Sequence, residues 1–220
     1  MTPVLVATGF NREAAIVAGP GVVTLAGGGS AETLRRKLHA AAGRGACGIV
    51  SFGLTGGLAD GLAIGDWVVG DRIAGAIDLA TDPHWRDALA KRLPGARIGS
   101  FFADGRMIDT VAEKRTLGHR HRALAVDMES HIAAEVAMVH GLPFAIARIV
   151  SDEVGHLLPH AITVSMRPDG GIDTAAMLKS LASRPAQLVD VARTMKLFAK
   201  GFRGLEAGAK AIGPHMAFPG

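Results

Sequence analysis

"RALAVDMESHIAAEVAMVHGLPFAIARIVSD" occupies residues 122–152, and its pattern decides the fold class. "RALAV" (122–126) is short, apolar and strand-like, whereas "SHIAAEVAMVH" (130–140) spaces Ile132, Val136 and Val139 along one helical face. "GLP" (141–143) supplies the glycine and proline that stop a helix, and "FAIARIVSD" (144–152) reads as a new buried strand. Such a strand–helix–strand unit is expected to be a right-handed crossover between parallel strands. Both strands would then end at one sheet edge, where open α/β sheets bind ligands, with 127–129 beside 151–153. The connecting "VDMES" reads two ways on pattern alone. Asp127 and Glu129 suit a helix start, as N-cap and first-turn acid. Equally, Glu129 and Asp152 suit a shared pocket.

Upstream of this unit, the first half alternates strand-like and helix-like patterns. "VLVATGF" (4–10) is a buried strand running into a glycine, and "VVTLAGGGSAETLRRKLHAAA" (22–42) is a strand, a glycine turn and a helix. Ser30 is the expected N-cap there, with Leu34, Leu38 and Ala41 at helical spacing. "CGIVSFG" (47–53) and "GDWVVGDRIAG" (65–75) are further strands, and "RPAQLVDVARTMKLFAKGF" (184–202) is a closing helix. Its apolar stripe is Leu188, Val191, Met195, Phe198 and Phe202. No repeat or linker interrupts the 220 residues, so one α/β domain over 1–213 is expected, with helices on both faces of a sheet and a frayed tail at 214–220.

Composition narrows the function classes. Hydrophobic residues make up 49% and charged residues 20%, with no apolar run near the ~20 residues that cross a bilayer. The N-terminus lacks the basic start and long apolar stretch of a signal peptide, so a cytoplasmic location is expected. Cys47 is the single cysteine, which excludes an internal disulfide and a thiolate metal cluster. His119 and His121 in "GHRHR" lack an acidic or thiol companion at ligand spacing and read as a basic loop, so no metal is expected. The net charge is +4, and Tyr is absent. Without aromatic residues among the cations, nucleic-acid stacking has little support. Arg184, Arg193, Lys196, Lys200, Arg203 and Lys210 make the C-terminal region basic, which leaves anionic surfaces such as lipid headgroups open. The alternative is that the apolar stripe of 184–203 packs on the sheet and its basic face is solvated.

Three glycine-rich turns are placed to line the ligand edge: "ATGF" (7–10), "GGGS" (27–30) and "FGLTGGL" (52–58). None has the Gly-Lys-Ser/Thr of a P-loop or the spacing of a dinucleotide fingerprint, and no G-x-S-x-G elbow occurs.

"VATGFNREA" (6–14), "SFGLTGGLADGLAIGDWVV" (51–69) and "VDMESHIAAEVAMVHGLPFAIARIVSD" (126–152) together resemble the nucleoside phosphorylase and nucleosidase superfamily. Within it, the "PDGG" stretch (168–171) and the basic C-terminus are most similar to the hopanoid-associated phosphorylase branch. The resemblance implies a three-layer α/β/α sandwich with a twisted mixed sheet and a homo-oligomer. It also implies cleavage of an N-ribosidic bond, with adenine leaving adenosylhopane. By position, Asp152 matches the acid that acts on purine N7, and Glu129 matches the carboxylate that accepts from the ribose hydroxyls. Met128 matches the sugar floor, Met107 and Ile108 the base-stacking position, and Ser151 and Arg148 the neighbours of the acid, Arg148 as a structural residue. Phe10 with Gly9 and Gly53 matches the 5′-side loops, and Glu13 matches the nucleosidase glutamate that orients water.

Two departures bear on the nucleophile. Ser51 stands where the phosphorylases carry a phosphate-binding arginine, and Leu54 replaces a phosphate-contacting hydroxyl. Water is therefore favoured, with phosphate as co-substrate the alternative through Arg12 or the "GGGS" amides. Other readings are a soluble 5′-methylthioadenosine/S-adenosylhomocysteine-type nucleosidase, a purine nucleoside phosphorylase, and an inactive nucleoside-binding protein.

Overall fold

The computed structural model describes residues 2–28, 30–108, 110–165, 167, 171 and 173–220. Most of the "PDGG" stretch therefore lies outside the described residues. Eight strands form one mixed sheet: β1 Val4–Thr8, β2 Val22–Ala26, β3 Gly48–Gly57, β4 Trp67–Gly75, β5 Leu79–Ala80, β6 Arg97–Ala103, β7 Ala123–Val126 and β8 Phe144–Asp152. β1 and β2 extend the sheet from β3 in parallel, and β5 pairs with β4 in antiparallel fashion. The remaining strands close on themselves in the order β3–β8–β4–β6–β7–β3. Closure leaves that half of the sheet without an open edge. The central strands are apolar along nearly their whole length, as strands covered on both faces must be.

Helices α2 (Ala31–Ala42) and α5 (Ser130–His140) cover one face, where Leu34, Leu38, Ile132 and Val136 meet Leu5, Ile49 and Ile146. On the other face, α1 (Asn11–Val17), α3 (Pro83–Arg92) and α8 (Leu188–Ile212) bring Val17, Trp85, Leu89, Phe202, Leu205 and Ile212 against Val4, Val50 and Val69. The expected single α/β domain with a mixed sheet is what forms. Local chemistry sets its ends: Ser30 Oγ accepts from Thr33 N at the start of α2, and Gly141 (φ 62°) ends α5 in the left-handed region. Helix α4 (Val111–His121) is capped by Thr110, whose side chain accepts from Glu113 N. Short helices α6 (His160–Thr163) and α7 (Thr174–Ser183) pack with the start of α8 around Ala161, Ile162 and Val191.

Several expectations change. β7 and β8 are not parallel neighbours: β7 is antiparallel to β3 whereas β8 is parallel to it. They meet end to end at Gly56, which registers with Val126 on one side and Asp152 on the other. Their loops still converge, because both strands finish at the same point of β3. The glycine-rich 52–58 is not a turn, since β3 runs through it to Gly57. His119 and His121 form the last turn of α4, where His121 lies against Phe102 at 4.8 Å between ring centroids. Val139 points outward and is 62% exposed, as are Leu188 and Met195 of the α8 stripe in large part. The tail does not fray: residues 214–217 form a 3₁₀ turn that buries Met216, and Trp85 Nε1 donates to its carbonyl at 2.7 Å. An indole N–H buried without an acceptor would be costly, so this bond ties the chain end to the core.

Candidate active site

The meeting point of β7 and β8 opens into a cavity of about 330 Å³. Asp152, Ser151, Glu129, Met128, Met107, Ile108 and Phe10 all line it. A bulge in the β3–β8 pairing sets one end, because Thr55 registers with Val150 and Gly56 with Asp152, leaving Ser151 extra. That extra residue lets Ser151 Oγ reach Thr55 O (3.2 Å) and Asp152 Oδ1 (2.9 Å). A Cβ on Gly56 would stand 3.1 Å from Asp152 Oδ2, so glycine here gives the carboxylate its place.

At the other end, Asp127 does the capping and Glu129 is left for the cavity. Asp127 Oδ1 accepts from the backbone N–H of Glu129 (2.9 Å) and Ser130 (2.7 Å), and its Oδ2 accepts from Ser130 Oγ at 2.6 Å. Glu129 Oε2 accepts from Arg148 Nη2 at 3.0 Å. Arg148 is 1% exposed and has its whole guanidinium engaged: with Ser51 Oγ, Leu54 O, Glu129 and, at 3.3 Å, Asp127 Oδ2. It is an internal counter-ion, which agrees with its reading as structural.

Glu13, Gly9 and Gly53 sit one layer behind the cavity wall. Glu13 is not a surface acid; it is 1% exposed. Its Oε2 accepts from Gly9 N and Phe10 N, and its Oε1 from Leu54 N, each at 2.8 Å. It thereby ties the start of α1 to β3. A Cβ on Gly53 (φ +151°) would lie 2.6 Å from Glu13 Oε1. On Gly9 it would come within 3.1 Å of Glu129 Oε1 and 3.3 Å of Glu13 Oε2, so the two carboxylates flank that glycine. Three carboxylates therefore share one guanidinium. Burial pushes the Glu13 carboxyl above its ordinary range against the pull of Arg148. Burial, together with Asp127 and Glu13, raises Glu129 to about 7 despite Arg148.

Sequence reasoning missed Lys114. This α4 residue is 3% exposed, lines the cavity, and forms an ion pair with Asp152 Oδ2 at 2.5 Å. A signal existed: Val111, Lys114 and Leu117 follow helical spacing, which puts a lysine on the inward stripe of α4. Among the described residues, no group of His, Cys, Asp and Glu is arranged to hold a metal ion.

A second cavity of about 340 Å³ adjoins the first across Phe10, Ile162 and Phe198, which line both. Its further walls are mostly apolar, including Met177, Met195, Ala199 and Phe202.

Residues 3–190 match the model of the phosphorylase superfamily. The chain belongs to this superfamily. Among curated relatives, the futalosine hydrolase of Streptomyces coelicolor is 32% identical over 127 residues, 49% of this chain. That match spans 54% of the relative, about half its length. The fold is similar to a mutant MTAN of Helicobacter pylori with 5′-methylthioadenosine in its active site, at TM-score 0.65 and 14% identity, over 83% of this chain and 99% of that one. It is also similar to a Borrelia burgdorferi protein described as a 5′-methylthioadenosine/S-adenosylhomocysteine nucleosidase, bound to adenine, at TM-score 0.65 and 15% identity, over 95% and 98% of the two chains. No helix among the described residues is long and apolar enough to cross a membrane.

Proposed function

We propose that this chain cleaves the N-ribosidic bond of a purine nucleoside with water as nucleophile. The observation that carries this reading is the meeting of β7 and β8 at Gly56, which puts Asp152 and Glu129 on one cavity. Breaking the bond builds positive charge on the sugar and negative charge on the base, so the two ends of a site must stabilise both. Asp152 is assigned to N7 of the base, with Met107 and Ile108 against its ring and Ser151 orienting the acid. Glu129 is assigned to the ribose hydroxyls and Met128 to the underside of the sugar. Glu13, expected to orient the water, lies behind the wall across Gly9 from Glu129 with its oxygens on backbone amides, so it is assigned to holding that wall in place beside the water.

Three features support water over phosphate. Ser51 Oγ is committed to Arg148 and Ser130 inside the protein. The Arg148 guanidinium is consumed by internal acceptors. The amides of Gly27, Gly28 and Ser30 in the glycine turn donate to Thr8, Gly9 and Gly27 carbonyls. The futalosine hydrolase relative points the same way, as a protein named for hydrolysis.

The adjoining apolar cavity supports a nucleoside with a large apolar 5′ substituent, and the finer reading is adenosylhopane. Phe10 stands where the 5′ side would leave the first cavity, and the space beyond it is walled by Met177, Met195 and Phe198. Along residues 157–200, Leu157, Val164, Leu178, Leu188, Val189 and Met195 are exposed, and Lys179, Arg184, Arg193, Lys196 and Lys200 of the same stretch are exposed as well. Such a surface suits peripheral contact with an anionic bilayer, from which a lipid substrate would be taken. The test measures free base released from adenosylhopane, 5′-methylthioadenosine and futalosine, each with and without phosphate. Release of adenine from adenosylhopane is expected, with a free hydroxyl at C1′ of the ribosyl product. Turnover of the small nucleosides alone sinks the lipid reading, and a strict phosphate requirement sinks hydrolysis.

A further inference from the structure

The ion pair between Lys114 and Asp152 raises a difficulty for the acid. Asp152 Oδ2 accepts from Lys114 Nζ and Oδ1 lies 2.9 Å from Ser151 Oγ, so both carboxylate oxygens are engaged by donors and a proton for the base has Lys114 as its nearest source. Lys114 Nζ uses its other two N–H groups on the carbonyls of Glu153 (3.1 Å) and His156 (2.9 Å). A lysine 3% exposed, with three acceptors for three donors, is a built arrangement rather than a surface contact.

The arrangement also tolerates losing one proton. If Nζ passes a proton to Oδ2, the neutral amine keeps its bonds to both carbonyls and accepts from the new O–H with its lone pair. Every polar atom of the pair stays satisfied in both tautomers, so the shift leaves no buried group orphaned. An arginine in the same place would hold Asp152 equally well but would not release a proton, because guanidinium stays charged.

We propose that Lys114 is the proton store of this site and acts through Asp152, which relays its proton to the departing purine. The inference rests on the proposed N-ribosidic cleavage. As the C1′–N9 bond breaks, its electron pair stays with the base. Asp152, neutral after receiving the Lys114 proton, protonates the base and returns to carboxylate. Water adds hydroxyl to C1′ and releases one proton, and Lys114 recovers one from solvent, so the cycle balances. Arg106, paired with Asp104 and Glu113, and His160 line the same cavity, while Glu153 and His156, whose carbonyls Lys114 holds, pair with each other at 3.8 Å. Asp127 and Glu129 lie across the cavity.

The experiment is the pH profile of kcat/KM for base release by the wild type, Lys114→Met and Lys114→Arg, with circular dichroism checking that each folds. In the wild type the fall at high pH reports loss of the pair's proton. In Lys114→Met the acid must keep its own proton, so that fall should move to lower pH, with activity regained in acid. Lys114→Arg should lose at least ~10-fold at neutral pH despite keeping the charge. A Lys114→Met profile that falls where the wild type does, or higher, overturns the proposal, as does full activity in Lys114→Arg. A variant that does not fold leaves the decision to the other. Should the wild type release base from no nucleoside, the functional reading fails and this inference with it; an active wild type with an unmoved variant profile refutes the inference alone.

Discussion

The two ends of the candidate site are built on opposite principles. Around Glu129 the protein is polar, buried and locked: Asp127 and Glu129 with Arg148, Ser51 and Ser130 satisfy one another through short bonds, while Glu13 beside them accepts from three backbone amides. Beyond Phe10 it is apolar and shallowly held, with α6, α7 and the start of α8 leaving Leu178, Leu188 and Val189 facing out. Under the proposed function the contrast separates two tasks. Charge development at a sugar needs groups already fixed in place, because reorganisation would cost in the transition state what the charges gain. Admitting a bulky apolar group needs unsatisfied apolar surface, which costs stability instead.

The polar end gives the largest effects, beginning with the acid. Asp152→Asn should lower base release by ~10²–10⁴-fold with little change in KM, the usual scale for a general acid. Steady-state kinetics check it, and an unchanged rate would refute the acid role of Asp152. Next is the lock itself. Arg148→Met leaves Glu13, Asp127 and Glu129 without their common cation and should cost about 3–5 kcal/mol, read by urea denaturation at pH 8. A loss below about 1 kcal/mol would mean the cluster is far less coupled than its geometry indicates.

The apolar end should respond differently. Phe198→Ala is expected to reduce kcat/KM about tenfold for a nucleoside with a large apolar 5′ group and to leave a small nucleoside nearly unaffected. Equal losses on both would show that Phe198 shapes the first cavity rather than separating it from the second.

The smallest effect concerns pH. Glu13 and Glu129 have folded-state proton affinities raised above the ordinary value of 4.5. The folded chain then binds more protons than the unfolded one between that value and, for Glu129, about 7. Their stabilising contribution is full below the unfolded value and is lost as pH rises through the folded one. Thermal melts should therefore drop by a few degrees from about pH 5 to about pH 8, and Glu129→Gln should flatten the curve while lowering activity. A melting point that climbs with pH over that range would contradict the sign.

Much of this architecture is readable in the chain. The apolar runs of β1, β3 and β8, the Ser30 cap, and the glycine and proline ending α5 are local signals, since each depends on neighbours within a few residues. The motif around 126–152 also names Glu129 and Asp152, and both reach the cavity. The route by which they meet is not legible there, because strand direction depends on pairing with β3 and β4, residues far off in sequence. Lys114 is hidden for the same reason: a lysine is ordinarily solvent-facing, and only the fold brings three acceptors to it. The end of the chain reads as a frayed tail, yet the indole of Trp85 supplies the contact that orders it.

Periodicity and capping act over short range, so the α/β class, the positions of most elements and the residues carrying the family resemblance are all present in the linear chain. Folding in three dimensions adds the rest. It closes β3, β8, β4, β6 and β7 into a ring, and it turns Asp127 to the cap while Glu129 faces the cavity. It also buries Glu13 and sets an ammonium against Asp152. Those outcomes follow from long-range strand pairing and from the need of every buried charge for a partner, which no local pattern encodes.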